Sequence, residues 1–191
     1  MKIYTKTGDQ GETGYIGGRI PKNSLLIHCV GELDELNASL GFACSQLTGN
    51  RSITKNLNQV QNNLFELGGI IANPKLEKSK QQKLTSVLQE EVSNLEKSID
   101  QLSAELPELQ NFILPGGSLA GSSLHLARSG CRRAERAYAA LLENPPVSYL
   151  DTELVKLGLI YLNRLSDWLF VAARWVNQRD EKPERLWHQA T

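Results

Sequence analysis

Four arginines fall within nine residues of this sequence, Arg128 and the three of CRRAER at Cys131–Arg136, and the spacing of three of them suits a polyanion. On a helical period Arg128, Arg132 and Arg136 recur every fourth residue and form one stripe with Glu135 beside it. Leu124, Ala127, Cys131, Ala134, Tyr138 and Leu141 take the opposite arc. Like charges four residues apart weaken a helix by a few tenths of a kcal/mol each, so three in line call for a negative partner. At about 1.5 Å rise per residue the stripe is about 12 Å long, the reach of a polyphosphate. A solvated face with ion pairs to neighbouring carboxylates has the same pattern.

A second set of donors lies at the start of the chain. The stretch TKTGDQGETGYIGGRIPK places Gly8, Gly11, Gly14, Gly17 and Gly18 close together, which permits tight turns and close approach of backbone amides to a ligand. Thr5, Lys6, Thr7, Thr13 and Lys22 are donors for phosphate oxygens in the same stretch. A simple Gly-Asp hairpin is the other reading. No Walker-type GxxxxGK run and no GxGxxG turn between a strand and a helix is present. Two further segments carry polar side chains on helical faces: Asp34, Asn37 and Gly41 in GELDELNASLG, and Asn163, Asp167 and Arg174 in YLNRLSDWLFVAARW. Asp34 is a carboxylate able to pair with a stripe arginine. His28, His125 and His188 have no metal-ligand spacing, so no metal ligands are assigned.

These groups need elements to hold them. Leucine-rich repeats at intervals of three and four predict helices from about Glu32 to Leu47, through Leu57–Ile71, through Leu84–Leu102, along the arginine stretch, and from about Asp151 to Asn177. Short Pro, Gly and Asn breaks join them, which describes an antiparallel bundle. The fold class is therefore all-α, a ferritin-like five-helix bundle with a non-helical Gly-rich N-terminal segment. One domain over 1–191 is expected, with a loop at 1–24, the bundle at 25–177 and a polar tail at 178–191 that either docks through Leu186 and Trp187 or frays. The 191 residues carry 21 basic and 21 acidic side chains, a balance unlike that of a general nucleic-acid binder, so the stripe reads as a local anion site. No apolar run approaches a membrane span, and three cysteines without CxxC spacing suggest reduced thiols and a cytoplasmic address.

Taken together, TKTGDQGETG, GELDELNASLG, FILPGG followed by CRRAER, and YLNRLSDWLFVAARW stand in the order and spacing of the PduO-type ATP:corrinoid adenosyltransferases, and the chain resembles that family from residue 3 to about 175. The resemblance implies a homotrimer with active sites between subunits. It also implies transfer of the 5′-deoxyadenosyl group of ATP to the cobalt of cob(I)alamin, with release of triphosphate. Thr5, Lys6, Thr7, Gly8, Thr13, Gly14 and Lys22 match the family's N-terminal ATP loop. Arg132, Arg133, Glu135, Arg136 and Asn163 match its nucleotide-binding positions on the bundle. Arg128 and Asp34 match an ion pair that bridges subunits and helps shape the corrinoid site. Phe112 matches the aromatic that fills the space below the corrin and eases reduction of cob(II)alamin by leaving the cobalt without a lower ligand. ATP, Mg2+ and the corrinoid are the implied ligands, and a reductase and an adenosylcobalamin-dependent client enzyme are the implied partners.

Cob(I) is itself a strong nucleophile, so the absence of a Ser/His or Cys/His pair in the sequence agrees with this chemistry. Two positions depart from the family's pattern: His28 replaces a usual acid, and Glu32 replaces a usual small hydroxyl residue. A noncatalytic nucleotide-sensing or corrinoid-escort trimer would present the same binding residues. A di-iron bundle would need paired ExxH motifs, which are not found.

Overall fold

The computed structural model describes residues 3–4, 6–73, 75–143 and 150–188. Its framework is five helices: α1 Leu25–Gln46, α2 Arg51–Ile71, α3 Lys78–Ala104, α4 Leu119–Glu143 and α5 Thr152–Arg179. The first begins seven residues before the expected Glu32. Leu26 and Cys29 extend the buried seam of Leu33, Leu36, Leu40 and Ala43, and Ser24 caps the helix by accepting the Ile27 N–H at 3.3 Å. Asp151 caps α5 in the same way, through the N–H groups of Glu153 and Leu154.

Helix α4 packs between α1 and α5, with α2 against α1 and α3 against α5. Its apolar arc is the one the sequence predicts: Leu124, Ala127, Cys131, Ala134, Tyr138 and Leu141 are fully buried. Trp168, Tyr138 and Tyr161 are the largest enclosed side chains. Asn63 on α2 joins three helices, donating to Glu91 Oε2 on α3 at 2.7 Å and to Tyr161 Oη on α5 at 3.2 Å. Burial of this kind contributes about 1.5–3 kcal/mol per large aliphatic side chain, and it makes α4 a rigid carrier for whatever its outer face presents.

Non-helical structure is not confined to the leader. Strands β1 Glu12–Tyr15 and β2 Gly18–Pro21 form the N-terminal hairpin. A second ribbon pairs β3 Ile113–Leu114, in the loop before α4, with β4 Arg185–Leu186 in the tail. The tail therefore docks rather than frays, through the strand pairing of Leu186, the Trp187 ring against Phe112 and the Arg174–Glu184 ion pair. Among the described residues no helix is long and apolar enough to cross a membrane.

Tight packing at the centre makes a specific demand on Gly158 of α5. A Cβ there would overlap Tyr138 Oη and lie 3.0 Å from Leu67 Cδ1. Overpacking of this kind costs roughly 1–3 kcal/mol, more than alanine's advantage over glycine of about 1 kcal/mol in a helix. Gly158→Ala is expected to lower the thermal midpoint by several degrees, and adding Tyr138→Phe to recover part of the loss. A midpoint that stays level or rises in the single variant would contradict this packing.

Candidate functional site

The start of α4 is pinned before its arginines are reached. Asn177, buried near the end of α5, accepts from Ser118 N at 2.9 Å and donates to Gly116 O at 2.8 Å. Ser118 Oγ in turn accepts from Gly121 N at 3.0 Å, capping the helix. A side chain at Gly117, which has φ +113°, or at Gly121 would collide with the Asn177 amide, so FILPGGS is the loop that lets α5 hold α4 in register.

With the apolar arc buried between α1 and α5, Arg132 and Arg136 face outward. Among the described residues neither has a hydrogen-bond or ion-pair partner. Arg128 is half-buried, its Nε lacks a partner, and its guanidinium lies 5.8 Å from the Phe170 ring. Burial and the charge of Arg132 both press the Arg128 guanidinium toward a lower pKa. Several acids on neighbouring positions have other partners. Arg133 holds Glu32 at 2.6 Å and also pairs with Glu35, so the unusual Glu32 is a clamp between α1 and α4. Glu135 accepts from Asn163 Nδ2 at 3.0 Å, and Arg164, which no helical stripe in the sequence singles out, donates to Asn163 Oδ1 at 3.2 Å and to Glu96 Oε1 at 2.8 Å.

The leader forms a compact unit of its own. Arg19 donates to Thr7 O at 2.5 Å and to Glu12 Oε2 at 3.2 Å, and Lys22 N donates to Gly11 O at 2.9 Å. The Lys22 ammonium lies against Gly8, at 3.3 Å from where a Cβ would stand, and Lys6 takes a left-handed backbone with φ +60°. Thr5 lies outside the described residues. Thr13 and Gly14 border a groove of ≈450 Å3 between α1 and α2, with Asp34, Asn37, Val30 and Phe65 among its walls.

One protomer does not unite these two sets. On α1, Glu32 and Glu35 turn toward α4, whereas Asp34 and Asn37 turn toward α2, and a 100° step per residue puts the two pairs roughly 160° apart. Asp34 makes no ion pair with Arg128 inside the chain. Phe112 stands apart from both, 81% exposed in the loop before α4, with its ring edge-on to Trp187 at 6.4 Å. Arg174 does not join Asn163 and Asp167 on an exposed face. It is 6% exposed and held by Glu184 and Pro107 O. No group of three His, Cys, Asp or Glu side chains among the described residues would cage a metal ion.

The family described as cobalamin adenosyltransferase matches residues 3–176. A corrinoid adenosyltransferase of Bacillus subtilis (strain 168) is 47% identical over 182 residues, covering 94% of this chain and 88% of the relative. One from Mus musculus is 36% identical, covering 97% of this chain and 77% of its own length. Among solved structures, a variant PduO-type ATP:corrinoid adenosyltransferase from Lactobacillus reuteri complexed with cobalamin and ATP superposes with a TM-score of 0.82. It is 34% identical, with 100% of this chain and 98% of that chain covered. A second variant, complexed with ATP, has the same TM-score at 33% identity, with 97% and 100% covered.

Beside the arginine row, His125 is buried against Phe170 with its Nδ1 unpartnered, and its pKa is lowered to about 4 by burial first and Arg128 second, with Glu184 opposing. An unfolded chain regains the ordinary value of 6.5, so it binds the proton first as pH falls. Stability from the neutral ring is complete above pH 6.5 and declines toward pH 4. Urea midpoints measured across that window are expected to fall less steeply in His125→Gln than in the parent. Superimposable slopes would show that the ring is not held neutral by its surroundings.

Proposed function

The chain belongs to the cobalamin adenosyltransferase family, and we propose how its own residues divide the work of the reaction. It is a corrinoid adenosyltransferase: it transfers the 5′-deoxyadenosyl group of ATP to the cobalt of cob(I)alamin, giving adenosylcobalamin and triphosphate. The observation that carries the residue assignment is the unneutralised row of Arg128, Arg132 and Arg136 beside acids already committed to other partners.

In the displacement, the cobalt electron pair forms a bond to C5′ while the C5′–O bond breaks, and that bond's electrons leave on the triphosphate oxygen. Charge therefore accumulates on the leaving group, where guanidinium donors stabilise it more than in the ground state. Arg132 and Arg136 take the triphosphate from the bundle side, with Asn163, Glu135 and Arg133 shaping the adjoining surface. Lys6, Thr7, Gly8, Thr13, Gly14 and Lys22, together with Thr5, close on it from the leader. Mg2+ would enter with the nucleotide substrate and would offset part of the phosphate charge, since magnesium is usually bound through substrate phosphates and few protein groups.

Because the two sets lie on opposite sides of α1, each site takes its leader from one subunit and its arginine row from the next. Asp34 of one subunit then pairs with Arg128 of its neighbour, supplying the carboxylate that Arg128 lacks within the chain. A closed ring of three subunits satisfies such a head-to-tail arrangement. Phe112, exposed and ordered, faces the lower side of the corrin, where an apolar ring keeps the nucleotide base off cobalt and makes cob(II)alamin easier to reduce. The whole chain acts as one domain in the cytoplasm, supplied with reduced corrinoid by a reductase and delivering adenosylcobalamin to a client enzyme.

Arg132→Ala is expected to lower turnover about a hundredfold or more, since one such donor supplies about 3 kcal/mol of transition-state stabilisation. Lys22→Ala is expected to be impaired through the other half of the site. Co-expressing the two variants should restore activity, because about a quarter of the sites in randomly mixed heterologous rings combine an intact leader with an intact row. Wild-type turnover in Arg132→Ala, or no recovery on mixing two folded variants, would refute this division.

A further inference from the structure

Phe112 has no seat in the core. What holds it is the β3–β4 ribbon, two residue pairs long, and Trp187, whose N–H donates to Phe112 O at 2.7 Å. A ribbon that short is not stable alone. Its anchor lies underneath, where Arg174 of α5, 6% exposed, places Nε 2.5 Å from Glu184 Oε1 and Nη2 3.3 Å from Glu184 Oε2. The same Nη2 donates to Pro107 O at 2.9 Å. One buried guanidinium thus grips both segments of the ribbon: the loop five residues ahead of Phe112, and the tail immediately before β4. The turn that brings the tail back passes through Glu181 at φ +54° and is closed by Lys182 N donating to Asn177 O at 2.8 Å.

We propose that Arg174 and Glu184 are positioning residues for the corrinoid half of the reaction, acting through the tail to fix Phe112 and Trp187. The pair touches neither substrate. Its fork geometry fixes the tail in two directions, and the tail's backbone bond to Phe112 transmits that placement to the aromatic edge. This rests on the reading of Phe112 as the group that faces the lower side of the corrin.

The test compares Arg174→Lys, Glu184→Gln and Phe112→Ala on two substrates, cobalamin and cobinamide, the latter having no lower nucleotide base to displace. A misplacement of about 1 Å can cost up to a hundredfold, so both pair variants are expected to slow turnover on cobalamin about tenfold or more, while cobinamide turnover and KM for ATP stay within about twofold. Both should also show a smaller four-coordinate cob(II)alamin signal in the visible spectrum, as Phe112→Ala does under this reading. If Phe112→Ala separates the two corrinoids and the pair variants do not, the pair has no positioning role. Equal slowing on both corrinoids would reduce the pair to general structure and overturn the proposal. If Phe112→Ala itself fails to separate them, the assignment of Phe112 falls first and the proposal with it.

Discussion

Three guanidinium groups in line on a rigid helix, with the nearby carboxylates already occupied, are the constraint from which the rest of this protein follows. The chain is neutral as a whole, yet Arg132 and Arg136 stand without partners among the described residues, and Arg128 is partly desolvated beside them. Neighbouring acids have other partners: Glu32 and Glu35 pair with Arg133, Glu96 pairs with Arg164, and Glu135, which keeps its charge, accepts from the Asn163 amide. A stripe of this kind is unfavourable until an anion with several negative oxygens lies along it. A triphosphate leaving group is such an anion, and it becomes more negative at the moment of transfer.

The bundle serves this constraint by removing freedom from α4. Its apolar arc is locked between α1 and α5, and its first turn is tied to Asn177 through contacts that tolerate no side chain at Gly117 or Gly121. Preorganised charge of this type needs no rearrangement during a reaction, and that is what the proposed assignment asks of the arginine row. The leader solves a different problem. It is a small hairpin held by its own hydrogen bonds with Tyr15 and Ile20 packed on the core, and in the proposed assignment it is the part that meets the nucleotide.

Much of this was legible in the sequence because periodicity reports directly on which face a helix buries. The apolar arc of α4, the seams of the other helices and the outward row of Arg128, Arg132 and Arg136 all follow from a 3.6-residue repeat. Pairings between distant elements do not. Glu32 and Arg133 are 101 positions apart, and nothing in the local pattern of either predicts that they meet. Asn177 figures in the sequence only as the end of the fifth predicted helix, and its partners in the Pro-Gly-Gly loop come from 59 and 61 residues away. Arg174 was grouped with Asn163 and Asp167 because eleven residues bring a helix back to nearly the same angle. Farther along α5 that face is covered by the tail, so the same stripe is exposed at Asp167 and buried at Arg174.

The decisive measurement is a crystal structure of the assembled protein with Mg–ATP bound. Triphosphate oxygens are expected within hydrogen-bonding distance of Arg132 and Arg136 of one subunit and of the Thr13–Gly14 and Lys22 region of its neighbour. A triphosphate seated elsewhere, with the arginine row open to solvent in every subunit, would contradict this placement.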